Sequence, residues 1–191
     1  MNTHTTSREF FEGLYLQSND PWSFASSEYE LGRYQATLRA LTNRSYHRTF
    51  EPGCSIGVLT AQLAMISEYV TAIDISSAAT EQAARRCRNL SHVSIKQGSL
   101  PKDVPPEIFD LIVFSEIGYY FDKFQLGTLV ERLVNHMKSG SVFLAVHWLG
   151  SSADHILSGS MVHQIISASQ RLIHEYREDH AKFLLDRWVC K

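Results

Sequence analysis

Short apolar runs alternate with helical periods along most of the chain. His47 to Phe50 is a brief strand that runs into Glu51, Pro52 and Gly53. Leu59, Leu63 and Ile66 follow at i, i+4 and i+7, the spacing of one helical face. Tyr69 to Ile73 reads as a buried strand ending at Asp74. Ser76 and Ser77 then offer cap oxygens to a helix whose buried stripe is Ala79, Ala83 and Cys87. Val93 and Ile95 alternate with polar neighbours, and Phe109 to Phe114 is apolar enough for the centre of a sheet. Leu126, Leu129, Val130, Leu133, Val134 and Met137 form an amphipathic helix opened by Asp122 and closed by Lys138 and Gly140. Ser141 to His147 is a further strand, and Arg171 to Cys190 reads as two more, turned near Glu178 and Asp179.

Strand–helix alternation repeated this often predicts an α/β fold, a parallel sheet with helices on both faces. Ligands in such folds sit at the C-terminal ends of the strands. That directs attention to Glu51 to Gly57, Asp74, Gly98 to Leu100, Ser115 to Tyr120, and His147 with Trp148. Residues 1–45 precede the first strand and carry Trp22, Phe24, Tyr29 and Tyr34, so a helical cap over the site is expected, with 46–191 as the core of a single domain. The length of 191 residues and the 44% hydrophobic content fit one compact domain.

Charge and cysteine usage then exclude several classes. Lys and Arg total 18 against 20 acids, a formal charge of −2, which leaves no electrostatic footprint for nucleic acid. The longest apolar runs, Leu111 to Phe114 and Val142 to Val146, are too short to span a bilayer, and Thr3 to Phe11 has no apolar signal region. No membrane partner is expected. Cys54, Cys87 and Cys190 are odd in number and lack ligand spacing, which points to reduced thiols, a cytoplasmic location and no metal.

The segment Glu51-Pro52-Gly53-Cys54-Ser55-Ile56-Gly57 lies between a strand and a helix. A dinucleotide fingerprint counted from Gly53 needs glycines at 55 and 58, where the chain has Ser55 and Val58. A dehydrogenase is set aside on that spacing, and because no substrate domain remains. The spacing present is acidic-x-Gly-x-Ser-x-Gly, and Asp74 ends the next strand, where a carboxylate can take both hydroxyls of a ribose. The bland alternative is that Gly53 and Gly57 serve a tight turn and Asp74 opens a helix.

Glu51 to Gly57 resembles motif I of class I S-adenosylmethionine-dependent methyltransferases. That resemblance implies a Rossmann-like fold with a mostly parallel seven-stranded sheet, and S-adenosylmethionine as cofactor. It assigns Glu51, Gly53, Ser55, Gly57, Asp74 and Ile75 to the cofactor, with Ser99 and Leu100 near the adenine. The strand from Phe109, followed by Ser115 and Glu116, resembles motif IV, whose end lies under the methyl group. Three segments taken together, Asp20-Pro21-Trp22 with Tyr29-Glu30, Glu51 to Cys54, and Ser115 to Tyr120, resemble the nodulation protein S (NodS-type) N-methyltransferases over roughly Asp20 to Trp148. Members of that family methylate the free amine of a de-N-acetylated chitooligosaccharide.

Methyl transfer from a sulfonium is an in-line displacement in which positioning supplies most of the acceleration. An amine must arrive neutral, so a group that accepts or orients its proton is useful. Glu116 is the first choice, His147 the second, and Tyr119 or Tyr120 can wall the cavity or face the sulfonium. Trp22 can cover the cofactor, and Arg33, one helical turn beyond Tyr29, can pair with its carboxylate. The alternatives are a Glu116 that hydrogen-bonds a loop backbone, a His147 that is structural at a strand end, and packing roles for the tyrosines, Trp22 and Arg33. The reading is an N-methyltransferase acting on an amino sugar, with a small molecule or oligosaccharide as acceptor and the oligomeric state open. The alternatives are a small-molecule O-methyltransferase and an adenosylmethionine-binding module without catalysis.

Overall fold

The structure, a computed structural model, describes residues 7–42 and 44–191. It divides into two compact units, Arg8–Asp103 and Val104–Lys191. The expected class forms: an α/β fold with a seven-stranded, mostly parallel sheet.

In the N-terminal unit, helices α1 (Arg8–Gln17) and α2 (Glu28–Ala40) precede the first strand. Strands β1 (Tyr46–Pro52), β2 (Ser67–Asp74) and β3 (Val93–Gln97) then alternate with α3 (Val58–Leu63) and α4 (Ser77–Arg86). The order is β3-β2-β1, all parallel, with Pro52 opposite Ile73 and Asp74 opposite Gln97, so the strand ends collect on one rim. Ser76 caps α4 by accepting from the Ala79 N–H at 3.1 Å, and Ala79, Ala83 and Cys87 are buried as their spacing predicts. Two expectations need correction. Ile66 lies beyond α3, which ends at Leu63, because the chain turns straight into β2. Tyr69 is 47% exposed, where its ring packs edge-on against His47 and under Arg48 rather than in the core.

The C-terminal unit contains β4 (Phe109–Ser115), a 3-10 turn (Gly118–Tyr120), α5 (Lys123–Asn135), β5 (Met137–Trp148), α6 (Gly159–Ser167), β6 (Leu172–Asp179) and β7 (Phe183–Cys190). β4 and β5 are parallel, and their apolar runs Leu111 to Phe114 and Val142 to Val146 are fully buried. β7 pairs antiparallel with both β5 and β6. Asp122 and Gln125 close a capping box on α5. That helix ends at Asn135, with His136 as its C-cap, so Met137, Lys138 and Gly140 belong to β5 instead of closing the helix. Gly140 takes φ +84° within the stretch where the β4–β5 register jumps from Phe109↔Met137 to Leu111↔Val142. Helix α6 has no counterpart in the sequence reading.

Candidate functional site

The candidate residues fall into two sets, and those in Arg8–Asp103 come first. Between β1 and α3 the backbone enters the left-handed region three times, at Gly53 (φ +75°), Ser55 (+50°) and Gly57 (+77°). Glycine accepts that conformation without a steric penalty, while Ser55 adopts it under restraint. The restraint is visible: the Ser55 N–H donates to Asp74 Oδ2 at 2.8 Å, and the Tyr15 hydroxyl meets Ser55 Oγ at 2.5 Å. The Gly53 and Cys54 N–H groups both donate to the Ile73 carbonyl, at 2.8 and 2.9 Å, which ties the loop to the end of β2. Gly57 is packed hard against α4, since a Cβ there would lie 2.9 Å from both Cα and Cβ of Ala83.

Asp74 is the hub of this rim. Its Oδ1 accepts from the Ser76 N–H at 3.0 Å while Oδ2 holds Ser55. Burial pushes its pKa up to about 6, against the lowering effect of the N–H groups of Ser76, Ser55 and Ile75. Each carboxylate oxygen keeps acceptor capacity after one backbone bond, so the group fits a pair of neighbouring hydroxyls. Ile75 is half-buried beside it, and its carbonyl accepts from Gln97 Nε2 at 3.1 Å. Ser99 and Leu100 are half-buried past β3, where the Ser99 N–H donates to Asp103 Oδ2 at 2.9 Å.

Helix α1 reaches this rim through two residues that sequence reasoning missed. Glu12 Oε1 accepts from Ser77 Oγ at 2.6 Å, and hydrogen bonds at the start of α4 lower its pKa. Tyr15 packs with Ile56 and Ala79, and Trp22 lies edge-on to Tyr15 with a centroid separation of 5.5 Å. The only sequence signal was their i, i+3 spacing in α1. Arg33 departs from expectation. It is fully buried on α2, bonds Glu30 through Nε at 3.0 Å, and lies over the Tyr34 ring. The carboxylate it meets here is thus one from its own helix.

Glu51 is buried at the end of β1, where its Oε2 accepts from Thr60 Oγ1 at 2.5 Å. Burial is the main cause of a pKa pushed up to about 8, with the Thr60 bond opposing and Asp74 adding to it. A carboxyl that ionises near 8 when folded but near 4.5 when unfolded holds an extra proton in the folded state across that interval. The contribution of Glu51 to folding stability therefore falls as pH rises from 4.5 to 8. Asp74, folded near 6, has finished its share by the upper part of that range. Urea titrations of the ligand-free protein from pH 6 to 8 should show wild type losing on the order of 1 kcal/mol per pH unit relative to Glu51→Gln. Parallel curves would remove the buried neutral carboxyl.

The remaining candidates lie in Val104–Lys191. Ser115 is buried at the end of β4, and Glu116 follows it with φ +60°, a strained backbone for a residue with a side chain. Both Glu116 oxygens are used: Oε1 accepts from the Trp148 N–H at 2.9 Å and Oε2 from the Tyr119 hydroxyl at 2.5 Å. Tyr119 stacks on His155 at 3.8 Å, and Tyr120 and Trp148 both meet the same imidazole edge-on. His155, which no sequence pattern marked, has a buried Nδ1 that meets no hydrogen-bond partner among the described residues. Burial lowers its pKa and keeps it neutral at pH 7.

His147 calls for a correction. It is fully buried, with Nε2 accepting from the Gly118 N–H at 3.0 Å and Nδ1 3.1 Å from Nε2 of His163. With both nitrogens engaged it is not placed to take a substrate proton. Among the described residues no group of three or more His, Cys, Asp or Glu has metal-holding geometry, and no helix is long and apolar enough to cross a membrane. The three cysteines are free and buried.

Known proteins match this architecture. The family model for Nodulation protein S (NodS) matches residues 7–174. Nodulation protein S of Sinorhizobium fredii is 30% identical over 148 residues, which cover 73% of this chain and 66% of the relative. Its counterpart in Azorhizobium caulinodans is 29% identical over 131 residues, covering 68% and 63% respectively. The match thus spans slightly less than two thirds of these relatives' own length. The crystal structure of N-methyltransferase NodS from Bradyrhizobium japonicum, in complex with S-adenosyl-L-homocysteine, is 25% identical with a TM-score of 0.83, and the match covers 99% of both chains.

Proposed function

Because this chain belongs to the nodulation protein S family, we propose that it is an S-adenosylmethionine-dependent N-methyltransferase whose acceptor is the amine of an amino sugar. The observation that carries the cofactor is the rim of the N-terminal unit, where a loop with three left-handed residues is hydrogen-bonded to a buried strand-end carboxylate. We read 1–191 as one methyltransferase domain; most residues assigned to the cofactor lie in Arg8–Asp103, and those assigned to the acceptor lie in Val104–Lys191. When bound, S-adenosylmethionine supplies an electrophilic methyl group.

Asp74 takes the ribose hydroxyls with the lone pairs its backbone bonds leave over. Gly53, Ser55 and Gly57 bring backbone rather than side chains to the ligand. Glu51, neutral in the folded protein alone, is drawn toward its ionised form by a cationic amino group. Trp22 covers the adenosine from the cap, while Ser99, Leu100 and Ile75 line its base. In the C-terminal unit Glu116 and Tyr120 orient the acceptor amine, and neutral His155 provides a nearby imidazole. No residue has to form a covalent bond: holding the nitrogen in line about 3 Å from the methyl accounts for most of the acceleration.

An ammonium must lose its proton before attack, so kcat/KM on glucosamine oligomers should rise with pH through the amine's own pKa. Glu116→Gln should lower that rate while keeping the limb, because the carboxylate orients the amine rather than removing its proton. Transfer confined to hydroxyl acceptors would replace this reading with an O-methyltransferase. Binding of S-adenosylhomocysteine without transfer to any amine or hydroxyl would replace it with a binding module.

A further inference from the structure

The C-terminal unit contains a buried string of side chains that the proposed chemistry does not touch. It starts at the Gly118 N–H, which donates to His147 Nε2 at 3.0 Å. His147 Nδ1 lies 3.1 Å from His163 Nε2, and His163 Nδ1 lies 2.6 Å from Asp186 Oδ2. All three side chains are at most 1% exposed. Asp186 also accepts from Arg177, through Nε at 2.9 Å and Nη2 at 2.8 Å, and its Oδ1 lies 2.5 Å from His174 Nε2.

This string admits one arrangement of protons when the rings are neutral. A backbone amide can only donate, so Nε2 of His147 carries no proton. The single proton of His147 is then on Nδ1 and is donated to Nε2 of His163. That leaves the proton of His163 on Nδ1, donated to Asp186. Although burial opposes ionisation of Asp186, its bonds from His163, Arg177 and His174 hold its pKa well below the usual carboxylate range. Burial in turn lowers the pKa of His163 despite its bond to Asp186. A further proton on either ring would set donor against donor and break one link.

The string ends on the segment that carries the acceptor residues. Gly118 opens the 3-10 turn containing Tyr119 and Tyr120, and a Cβ there would lie 2.3 Å from Val162 Cγ1 and 2.9 Å from His147 Nε2. The next residue of β5, Trp148, holds Glu116 through its N–H. The end of β5 therefore grips the Glu116–Tyr120 segment at three points, since the Glu116 N–H also donates to the Val146 carbonyl at 2.9 Å, and one of the three is an imidazole of fixed tautomer.

We propose that His163 and Asp186 are positioning residues: they fix the tautomer of His147, which holds the Gly118 amide and with it Glu116, Tyr119 and Tyr120. The location of the string rests on hydrogen bonds within one unit, while its value for turnover rests on the N-methyltransferase reading above. The two are separable. Long-range proton–nitrogen NMR on the full wild-type chain at neutral pH should find both His147 and His163 protonated on Nδ1, with the Gly118 amide shifted by its bond to a ring nitrogen. His163→Phe removes the acceptor, so His147 should populate the Nε2-protonated form and the Gly118 signal should move. Turnover should fall on the order of 10²-fold, the scale of a misplaced reacting group. S-adenosylhomocysteine affinity should hold within a factor of two or so of wild type, since most of the residues assigned to the cofactor lie in the other unit. His163→Gln, whose amide oxygen accepts the same proton, should recover most of the turnover and the His147 signature. A wild-type His147 protonated on Nε2, or a His163→Phe protein that keeps both signature and turnover, would overturn the proposal. If wild type transferred methyl to no amine, the enzymatic reading would fail while the ring signals still decided the string.

Discussion

Asp74→Ala should bind S-adenosylhomocysteine about 10–150-fold more weakly than wild type, the consequence of losing roughly 1.5–3 kcal/mol from a charged hydrogen-bond acceptor. The variant removes the carboxylate proposed to take the ribose hydroxyls and also releases the Ser55 and Ser76 amides that shape the loop. Asp74→Asn keeps one acceptor oxygen and should fall between the two. The pH dependence has a definite sign. Because the free carboxyl titrates near 6, wild-type affinity should drop as pH falls below about 6, since protonation removes an acceptor and its charge. Asp74→Asn should show no such drop. Isothermal calorimetry reads both effects, and an Asp74→Ala affinity equal to wild type would remove Asp74 from the cofactor site.

Gly57→Ala should be the most damaging single methyl in the N-terminal unit. It asks for a side chain at φ +77° and places a Cβ 2.9 Å from two atoms of Ala83, one of them backbone of α4 that cannot rotate away. Left-handed backbone costs about 1–2 kcal/mol and overpacking about 1–3, so a loss of roughly 2–5 kcal/mol is expected. Gly127→Ala is the contrast. Gly127 lies inside α5 with nothing within 4 Å of a new Cβ, and the substitution should stabilise by about 0.5–1 kcal/mol. Urea denaturation of the two variants checks both, and a Gly57→Ala protein within about 1 kcal/mol of wild type would show that the loop can move away from α4.

The parts of the site written as local backbone demands were readable in the sequence. Glycines at 53 and 57 stand where positive φ is required, and Ser76 and Asp122 stand where helix N–H groups need a cap. Contacts between distant segments were not readable. Nothing near Glu12 or Tyr15 announces that their partners are Ser77 and Ser55, 65 and 40 residues away. Periodicity also misplaced an end where two patterns overlap. Met137 extends the apolar stripe of α5, yet its backbone pairs with Phe109 as the first residue of β5. Helix α6 was legible in hindsight: Gly159, Val162, His163 and Ile166 are its buried stripe at i, i+3, i+4 and i+7, behind a Ser158 cap. A histidine in that stripe hides the helix from a search for apolar residues, and it is there because Asp186 and His147 satisfy both of its nitrogens.

The strand order within the C-terminal unit has a consequence for how the chain is made. β7 separates β5 from β6, yet it follows both in the sequence. While the ribosome is still extending toward Phe183, β5 has an open edge along Val142 to Trp148, and β6 has no strand beside it. An apolar strand with a bare edge is a template for pairing with another chain, so this interval is when the nascent protein most needs shielding. The same order makes proteolysis near the C-terminus costly out of proportion to its length. Removing Phe183–Cys190 would detach two strands from the sheet and strip Asp186 from the donors gathered around it.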